Sequence, residues 1–417
     1  MNILFLTIGL PDMAHGGGFY ADLIQELANF GHNVTAIAPA LGGQDTKLYQ
    51  EGTIKVLRVK TKAFVGNFST FTKVIGVMMM NPNYKSAYKK FLWDEKYDWV
   101  IMPTPPASLV SVAEQVIKHT GAKFYILLRD IHPESRVRIP EQSVLERTDV
   151  YEECKKPYVQ LSIIRKSLYR NAQKGYKKAN LIGCMSKANI DFVHKIAPYV
   201  KHEITTLLPN WYKEPETTKI IDHHLIRTKY NLTDKFVAIF GGNITIAQAV
   251  WNIASLAKHN LDKKDVVFLV VGKGDSKAIL QDMAERDNLT NIRFLDYMPR
   301  EDYEQILMTA DLGLISIDEK YKVPTCPSKI IGYMAMKKPV LAMFNEGSDY
   351  GEYYMGGNTC GLWSTGLDHE KMFANFDWFY NHPEERKQMG EAGYAYYKKN
   401  FDVKVVCKEL CEQLQNG

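Results

Sequence analysis

The sequence predicts an α/β protein built from two doubly wound, Rossmann-like domains, and three observations carry that reading. Short apolar runs of strand length recur ahead of helical patterns, first at Ile3 to Ile8 and then, more regularly, from Phe236 onward. Glycines collect between strand and helix, as in Gly16-Gly17-Gly18 and Gly272-Lys273-Gly274. Between the two series stands Leu208-Pro-Asn-Trp-Tyr212, where Pro and Asn break regular structure and a new series begins.

The 417 residues are enough for two full cores, and a composition 46% hydrophobic and 24% charged is that of a globular protein. A formal charge of +5 is too small to point to nucleic acid, and no nucleic-acid partner is expected. The cysteines Cys154, Cys184, Cys326, Cys360, Cys407 and Cys411 form no Cys-x-x-Cys pair. Cys407 and Cys411 sit at i and i+4 and read as small buried hydrophobes, so neither a disulfide framework nor a zinc site is indicated. No apolar run reaches the roughly 18 residues a spanning helix needs. Met1 to Ile8 lacks a basic flank and reads as a first strand, and a cytoplasmic location is the expectation.

In chain order, strand Ile3 to Ile8 leads through Gly16-Gly17-Gly18 into a helix from Phe19 to Asn29, ended by Gly31-His32, and Asn33 to Ala38 gives the next strand. Glycines in this place let a backbone approach a ligand closely. The Gly-x-Gly-x-x-Gly spacing is absent, so nicotinamide dinucleotide binding is not supported.

Residues 62 to 92 interleave Phe64, Phe68, Phe71, Val74 and Ile75 with Lys62, Lys73, Lys85, Lys89 and Lys90. Apolar residues beside lysines suit a surface lying on anionic lipid, and equally a core helix with a basic outer face. Residues 151 to 202 are similarly basic, with only Glu152, Glu153 and Asp191 as acids. Peripheral contact with the cytoplasmic face of a membrane follows as an expectation.

Trp99 to Met102 and Phe124 to Leu128 read as parallel strands. The second runs into Arg129-Asp-Ile-His-Pro-Glu134, which lies where ligands gather in open α/β sheets, at the carboxyl ends of strands. Asp130 and His132 are candidate proton acceptors or holders of a substrate hydroxyl, although an Asp before Pro is also an ordinary turn former.

After the crossover, Val237 to Phe240 leads into Gly241-Gly-Asn-Ile-Thr245, Val266 to Val271 into Gly272-Lys-Gly-Asp275, and Ile292 to Leu295 into Asp296-Tyr-Met-Pro-Arg300, each followed by a helix. Strand Ala310 to Ile317 then leads to Pro327-Ser-Lys329, a helix whose first turn carries Ser328 and Lys329, and strand Pro339 to Met343. A helix start presents unpaired N–H groups and positive dipole, so this loop can hold an anion such as a diphosphate, with Lys329 adding a charge; the plainer reading is a Ser cap beside a solvated Lys. From Pro383 to about Gln415 the pattern is helical, broken at Asn400-Phe-Asp402.

Asp311-Leu-Gly-Leu, Pro327-Ser-Lys-Ile-Ile-Gly-Tyr-Met-Ala335 and Lys338-Pro-Val-Leu-Ala342 together resemble the donor site of retaining GT-B glycosyltransferases of family 4, in particular the branch acting in bacterial surface-polysaccharide assembly on deoxyhexosamine-type sugars. The resemblance is strong from about Phe236 to Leu362. It implies two Rossmann-like domains facing a central cleft. Residues 1–207, completed by a C-terminal helix at 398–417, would be the acceptor side, and 208–397 the donor side. It implies transfer from a nucleoside diphosphate sugar, UDP-linked, to a polyprenyl-diphosphate-linked saccharide, with retention and without metal or other cofactor. Gly16, Gly17 and Gly18 would face the sugar and acceptor. Gly241 and Gly242 would border the diphosphate, Gly272, Lys273 and Gly274 would lie along the nucleotide, and Tyr297 with Met298 would meet the base; Asn243, Gln248, Pro327, Ser328 and Ile330 would also bind the donor, and Lys329, Asp130 and His132 would be catalytic. Asp130-Ile-His-Pro133 is similar to an Asp-x-x-Pro of that branch.

Two departures stand out. Asn243 and Gln248 occupy the places of an Arg and a Lys, and the paired glutamates of many members fall on Pro324 and Gly332. Glu346 or Glu352 would have to supply the missing carboxylate. Two other readings stay open: a GT-B-shaped UDP-N-acetylhexosamine 2-epimerase, and a non-catalytic nucleotide-sugar binding partner.

Overall fold

The computed structural model describes residues 1–14, 17–61, 70–104, 106–131, 162–215, 222–319, 321, 323–345 and 347–417, and of 70–79, 162–166 and 168 the backbone alone. Gly16, His132 and Glu346 lie outside the described residues, as do residues 62–69 of the first basic segment and 151–161 of the second. Among the described residues the chain divides into two compact units: residues 1–131, 162–209 and 403–417 belong to the first, and 210–402 to the second.

Unit 1 is built on β1 (Asn2–Leu6), β2 (Asn33–Pro39), β3 (Lys47–Glu51), β4 (Ile54–Val59), β5 (Trp99–Thr104), β6 (Lys123–Leu128), β7 (Leu181–Cys184) and β8 (Thr205–Leu207). They pair in the order β3-β4-β2-β1-β5-β6-β7-β8, with β3 antiparallel on the edge and the rest parallel. Its helices are α1 (Phe19–Asn29), α2 (Thr70–Phe91), α3 (Val110–Thr120), α4 (Ser162–Lys178) and α5 (Lys187–Ile196). Ile3, Leu4, Phe5, Val100, Ile101 and Leu127 have essentially no exposed surface, as expected of strands covered on both faces. The Ser186 hydroxyl caps α5 by accepting from Asn189 N–H at 3.3 Å.

Unit 2 carries α6 (His223–Lys229), β9 (Phe236–Asn243), α7 (Val250–His259), β10 (Val266–Lys273), α8 (Lys277–Arg286), β11 (Ile292–Leu295), α9 (Arg300–Thr309), β12 (Leu312–Ser316), α10 (Lys329–Ala335), β13 (Val340–Met343), α11 (Tyr350–Tyr353), β14 (Gly361–Ser364), α12 (His369–Asn381) and α13 (Pro383–Asn400). All six strands are parallel, in the order β11-β10-β9-β12-β13-β14. The sheet reverses direction of growth between β9 and β12, so the carboxyl edge there is the natural ligand position. Phe240, Ile253, Phe268, Leu312, Met343 and Phe376 belong to one apolar core.

The final helix, α14 (Val403–Asn416), belongs to unit 1. Trp99 Nε1 donates to Leu414 O at 3.1 Å and Tyr125 OH to Gln413 Oε1 at 2.7 Å, and Cys407, Leu410 and Leu414 are buried. Cys184, Cys326, Cys360, Cys407 and Cys411 are free and buried.

Candidate functional site

In unit 2 the glycines of the first two strands are not loops. The sequence reading ends those strands at Phe240 and Val271, but the ladder continues through Gly241–Val271, Gly242–Gly272 and Asn243–Lys273. The reason is spatial. A Cβ on Gly272 would stand 2.0 Å from Gly242 O, and one on Gly274 would stand 1.9 Å from Ile244 O. The φ values of +105° at Gly242 and +137° at Gly272 are also ones that side chains avoid. Bare backbone therefore reaches the carboxyl edge, where Gly242 and Asn243 are exposed.

Lys329 opens α10 and reaches this edge. Its Nζ donates to Gln248 Oε1 at 2.8 Å and lies 4.0 Å from the Phe240 ring centroid. A Cβ on Gly242 would stand 3.2 Å from Lys329 Cε and 3.9 Å from Nζ, so a side chain there would press on the end of the lysine. The stem is half-buried while the charged end sits among protein atoms, and this desolvation pushes its pKa down to about 7. Among the described residues no carboxylate pairs with it. A desolvated cation that meets one neutral amide oxygen and no counter-ion is suited to receive an anion. Gln248 is set in place by the short turn Ile246–Gln248, which ends at Ala249 with φ 40° and ψ 57°, an uncommon conformation for a residue with a side chain.

Lys273 Nζ stands 4.4 Å from the ring centroid of Tyr297, which is 65% exposed, and pairs with no carboxylate among the described residues. Its neighbour Lys277 is occupied by Gly272 O at 3.2 Å, Leu295 O at 3.0 Å and Asp296 Oδ1 at 2.7 Å. That cation fastens two strand ends, and its hydrogen bond lowers the Asp296 pKa.

The tripeptide before α10 differs from expectation. Ser328 has φ −68° and ψ −12° and its side chain makes no capping bond; the helix begins at Lys329 and is seven residues long. Ser328 is already helical and cannot aim its hydroxyl back at the first N–H groups. Pro327 offers its carbonyl to Tyr350 OH at 3.0 Å, and Ile330 is completely buried, leaving only its backbone for a ligand.

Pro324 and Gly332, where the paired glutamates of the resembled family would fall, are both buried. A Cβ on Gly332 would stand 3.3 Å from the Tyr212 ring. The Tyr212 hydroxyl donates to Glu304, whose Oε1 also takes Arg300 Nε at 2.6 Å, with the guanidinium 4.4 Å from the Tyr212 ring centroid. A carboxylate at 332 would crowd this set. Sequence reasoning overlooked Asp318 and Glu319, directly beyond β12. Asp318 N–H donates to Ala247 O at 2.8 Å, which places Asp318 beside the Gln248 turn, while Glu319 Oε2 accepts from Gly366 N–H at 2.8 Å. The signal was an acidic pair ending an apolar strand. Glu352 is exposed on α11.

In unit 1, Gly17 is exposed and Gly18 is extended at φ 178°, with only Pro11 at 3.4 Å where a Cβ would go, so a side chain at 18 is sterically allowed. The loop before it is anchored by a residue the sequence reading passed over. Arg58, 1% exposed, donates to Leu10 O at 2.7 Å, Pro11 O at 2.6 Å and both oxygens of Glu51 at 2.7 and 2.6 Å. Glu51 in turn accepts Met13 N–H at 2.8 Å. Asp130 follows β6; its carbonyl accepts from Thr104 Oγ1 at 3.3 Å. Burial pushes the Tyr20 hydroxyl up to about 12, opposed by Arg129 and reinforced by Asp130, so Asp130 lies near the start of α1. Arg129 donates to Gly183 O at 3.0 Å and Leu208 O at 2.7 Å.

Two parallel-sheet Rossmann-like units whose site groups stand at the carboxyl edges define the GT-B fold, the architecture of many glycosyltransferases. Residues 222–396 match the family described as glycosyl transferases group 1. The putative colanic acid biosynthesis glycosyl transferase WcaI of Escherichia coli (strain K12) is 26% identical over 140 residues, 33% of this chain and 34% of that protein, so the matching stretch spans about a third of that relative. Among solved structures, sucrose-phosphate synthase from Thermosynechococcus elongatus is similar with a TM-score of 0.73 at 13% identity, over 100% of this chain and 98% of that one. Anabaena HepE in complex with UDP and glucose gives 0.68 at 15%, and WaaG, a glycosyltransferase involved in lipopolysaccharide biosynthesis, 0.63 at 14%, each over 100% of both chains. Among the described residues no group of three His, Cys, Asp or Glu could hold a metal ion, and no helix is long and apolar enough to cross a membrane.

Proposed function

We propose that the protein is a retaining, metal-independent glycosyltransferase. It moves a sugar from a UDP-linked donor to a polyprenyl-diphosphate-linked saccharide during surface-polysaccharide assembly, at the cytoplasmic face of the membrane. The observation that carries this reading is Lys329, a desolvated cation without a carboxylate partner among the described residues, set against Gly242 and Gln248 at the carboxyl edge of β9. It is supported by the group 1 glycosyl transferase match over the same segment and by neighbours described with UDP and glucose, with colanic acid and with lipopolysaccharide.

In the reaction, the bond from the anomeric carbon to the diphosphate oxygen breaks, and a bond to the acceptor oxygen forms on the same face. The acceptor's proton passes to the departing phosphate oxygen, and UDP leaves. Lys329 and the backbone at Gly242 oppose the negative charge that grows on the leaving group, which is where such stabilisation acts most strongly. Lys273 and Tyr297 hold the nucleotide, and Asp130 positions the acceptor. No protein nucleophile is required.

The test is a thermal-shift series with UDP and a panel of UDP sugars, followed by transfer to a lipid-linked acceptor by the wild type and Lys329→Met. Melting points raised by UDP compounds and a transfer rate lost with Lys329 support the reading. No shift with any UDP compound, or transfer unchanged in Lys329→Met, defeats it. Epimer formation from UDP-N-acetylhexosamine without acceptor would establish the epimerase instead.

A further inference from the structure

We propose that the outer surface of α2, α3 and α4 in unit 1 is the face that lies on an anionic lipid surface. This refines the lipid-linked acceptor reading, and it rests on side chains far in sequence from the donor site. The three helices are neighbours, α3 packing against both α2 and α4. Across residues 85–92, 111–119 and 170–178 the sequence carries eight lysines and arginines against one acid, Glu114; Asp94 and Glu95 follow beyond α2, and Glu95 is taken by Lys55 at 2.7 Å.

That single carboxylate is oversubscribed. Glu114 takes Lys174, Lys178 at 3.3 Å and Lys118 at 3.9 Å, which lowers its pKa and leaves the group around it net positive. Lys85 and Lys89 on α2 pair with no carboxylate among the described residues, and with Lys118 they border a groove of about 460 Å³ between α2 and α3. At one end stands Trp93, 41% exposed and stacked on His119 at 3.6 Å and 15°. The Tyr88 hydroxyl and His119 Nδ1, 2.9 Å apart, steady that ring from behind. Beyond α4, Lys177 lies 5.3 Å from the ring centroid of Tyr199, itself 42% exposed.

The arrangement fits a plane of phosphates better than a single small anion. A site for one anion gathers several donors on a point, whereas these ammonium groups are spread over three helices. A lipid headgroup layer presents charge over the same kind of area. Exposed Trp and Tyr, apolar in the ring and polar at one atom, belong at the boundary between headgroups and acyl chains.

The experiment measures partition of the full chain onto phosphatidylcholine vesicles with and without phosphatidylglycerol, using neither donor nor acceptor, so that it stands or falls apart from the transferase reading. Binding should require phosphatidylglycerol and weaken with salt. Each neutralised lysine near such a surface costs about fivefold in partition, so Lys85→Gln, Lys89→Gln and Lys118→Gln combined should weaken it about a hundredfold. The matched triple Lys264→Gln, Lys387→Gln and Lys399→Gln in unit 2 should leave it nearly unchanged. Brominated lipids should quench tryptophan emission in the wild type and much less in Trp93→Phe. Absence of binding to anionic vesicles, equal losses in the two triples, or quenching unaltered by Trp93→Phe would each overturn the assignment, as would capture by a soluble polyanion without any vesicle binding.

Discussion

Lys329 and Gln248, 81 residues apart in sequence, are joined by a 2.8 Å hydrogen bond at the edge of the unit 2 sheet. Where relatives of the resembled family carry a Lys, an amide oxygen here steadies a single ammonium, and a second cation at that distance would repel it. Lys329→Met and Gln248→Leu should each weaken UDP binding. Hydrogen bonds to charged groups are worth about 1.5–3 kcal/mol, so the loss should be about ten- to a hundredfold, read by calorimetric titration. Lys329→Met should keep or raise the melting point, since it removes a charge that is costly to bury.

The pH dependence has a definite sign. Free Lys329, with its pKa pushed down to about 7, is largely neutral at pH 8. A bound diphosphate favours the charged form, so UDP binding at pH 8 should take up a proton, visible as a dependence of the titration enthalpy on buffer ionisation heat, and affinity should fall as pH rises through 7. For stability, the unfolded chain holds more protons at this site between pH 7 and the ordinary lysine value, so stability rises with pH over that window. The wild type should therefore gain on Lys329→Met in melting temperature between pH 6 and pH 9.

Gly272→Ala places a methyl 2.0 Å from Gly242 O at a φ of +137°. Overpacking and backbone strain together should cost about 3 kcal/mol or more in urea unfolding. Gly18→Ala meets only Pro11 at 3.4 Å in extended backbone and should change stability by less than about 0.5 kcal/mol. Any loss of transfer in Gly18→Ala is then an effect on the reaction.

Arg58→Met strands the buried Glu51 carboxylate and frees the Leu10 and Pro11 carbonyls. Breaking a buried pair on one side costs about 3–5 kcal/mol. Pairing it with Glu51→Gln should recover part of that, which a double-mutant cycle of denaturant midpoints would measure.

Much of the architecture was readable from pattern. Helix Phe19–Asn29 and strand Ile292–Leu295 fall where apolar spacing puts them, and the break between α13 and α14 lies at Asn400-Phe-Asp402. The β3 and β4 hairpin went unread because Lys47, Gln50, Lys55 and Arg58 interrupt its apolar signal, and β3 is a sheet edge. Four-residue β14 is too short to show a period. The glycine ends of β9 and β10 look like turns in sequence because the feature that makes them strand, a partner backbone at contact distance, is not local. Arg58 was invisible for a related reason: nothing near it in sequence says that an arginine will be buried.

The chain passes from unit 1 to unit 2 at Pro209 and returns at Val403, and the two passages run side by side, Tyr212 N–H bonding Phe401 O at 3.0 Å. Newly made unit 1 thus leaves a ribosome with Trp99 and Tyr125 still waiting for their α14 partners, and must idle as an open sheet until the whole of unit 2 has been synthesised. A premature stop anywhere in unit 2 therefore spoils both units, and chaperones would find their target in the earlier one.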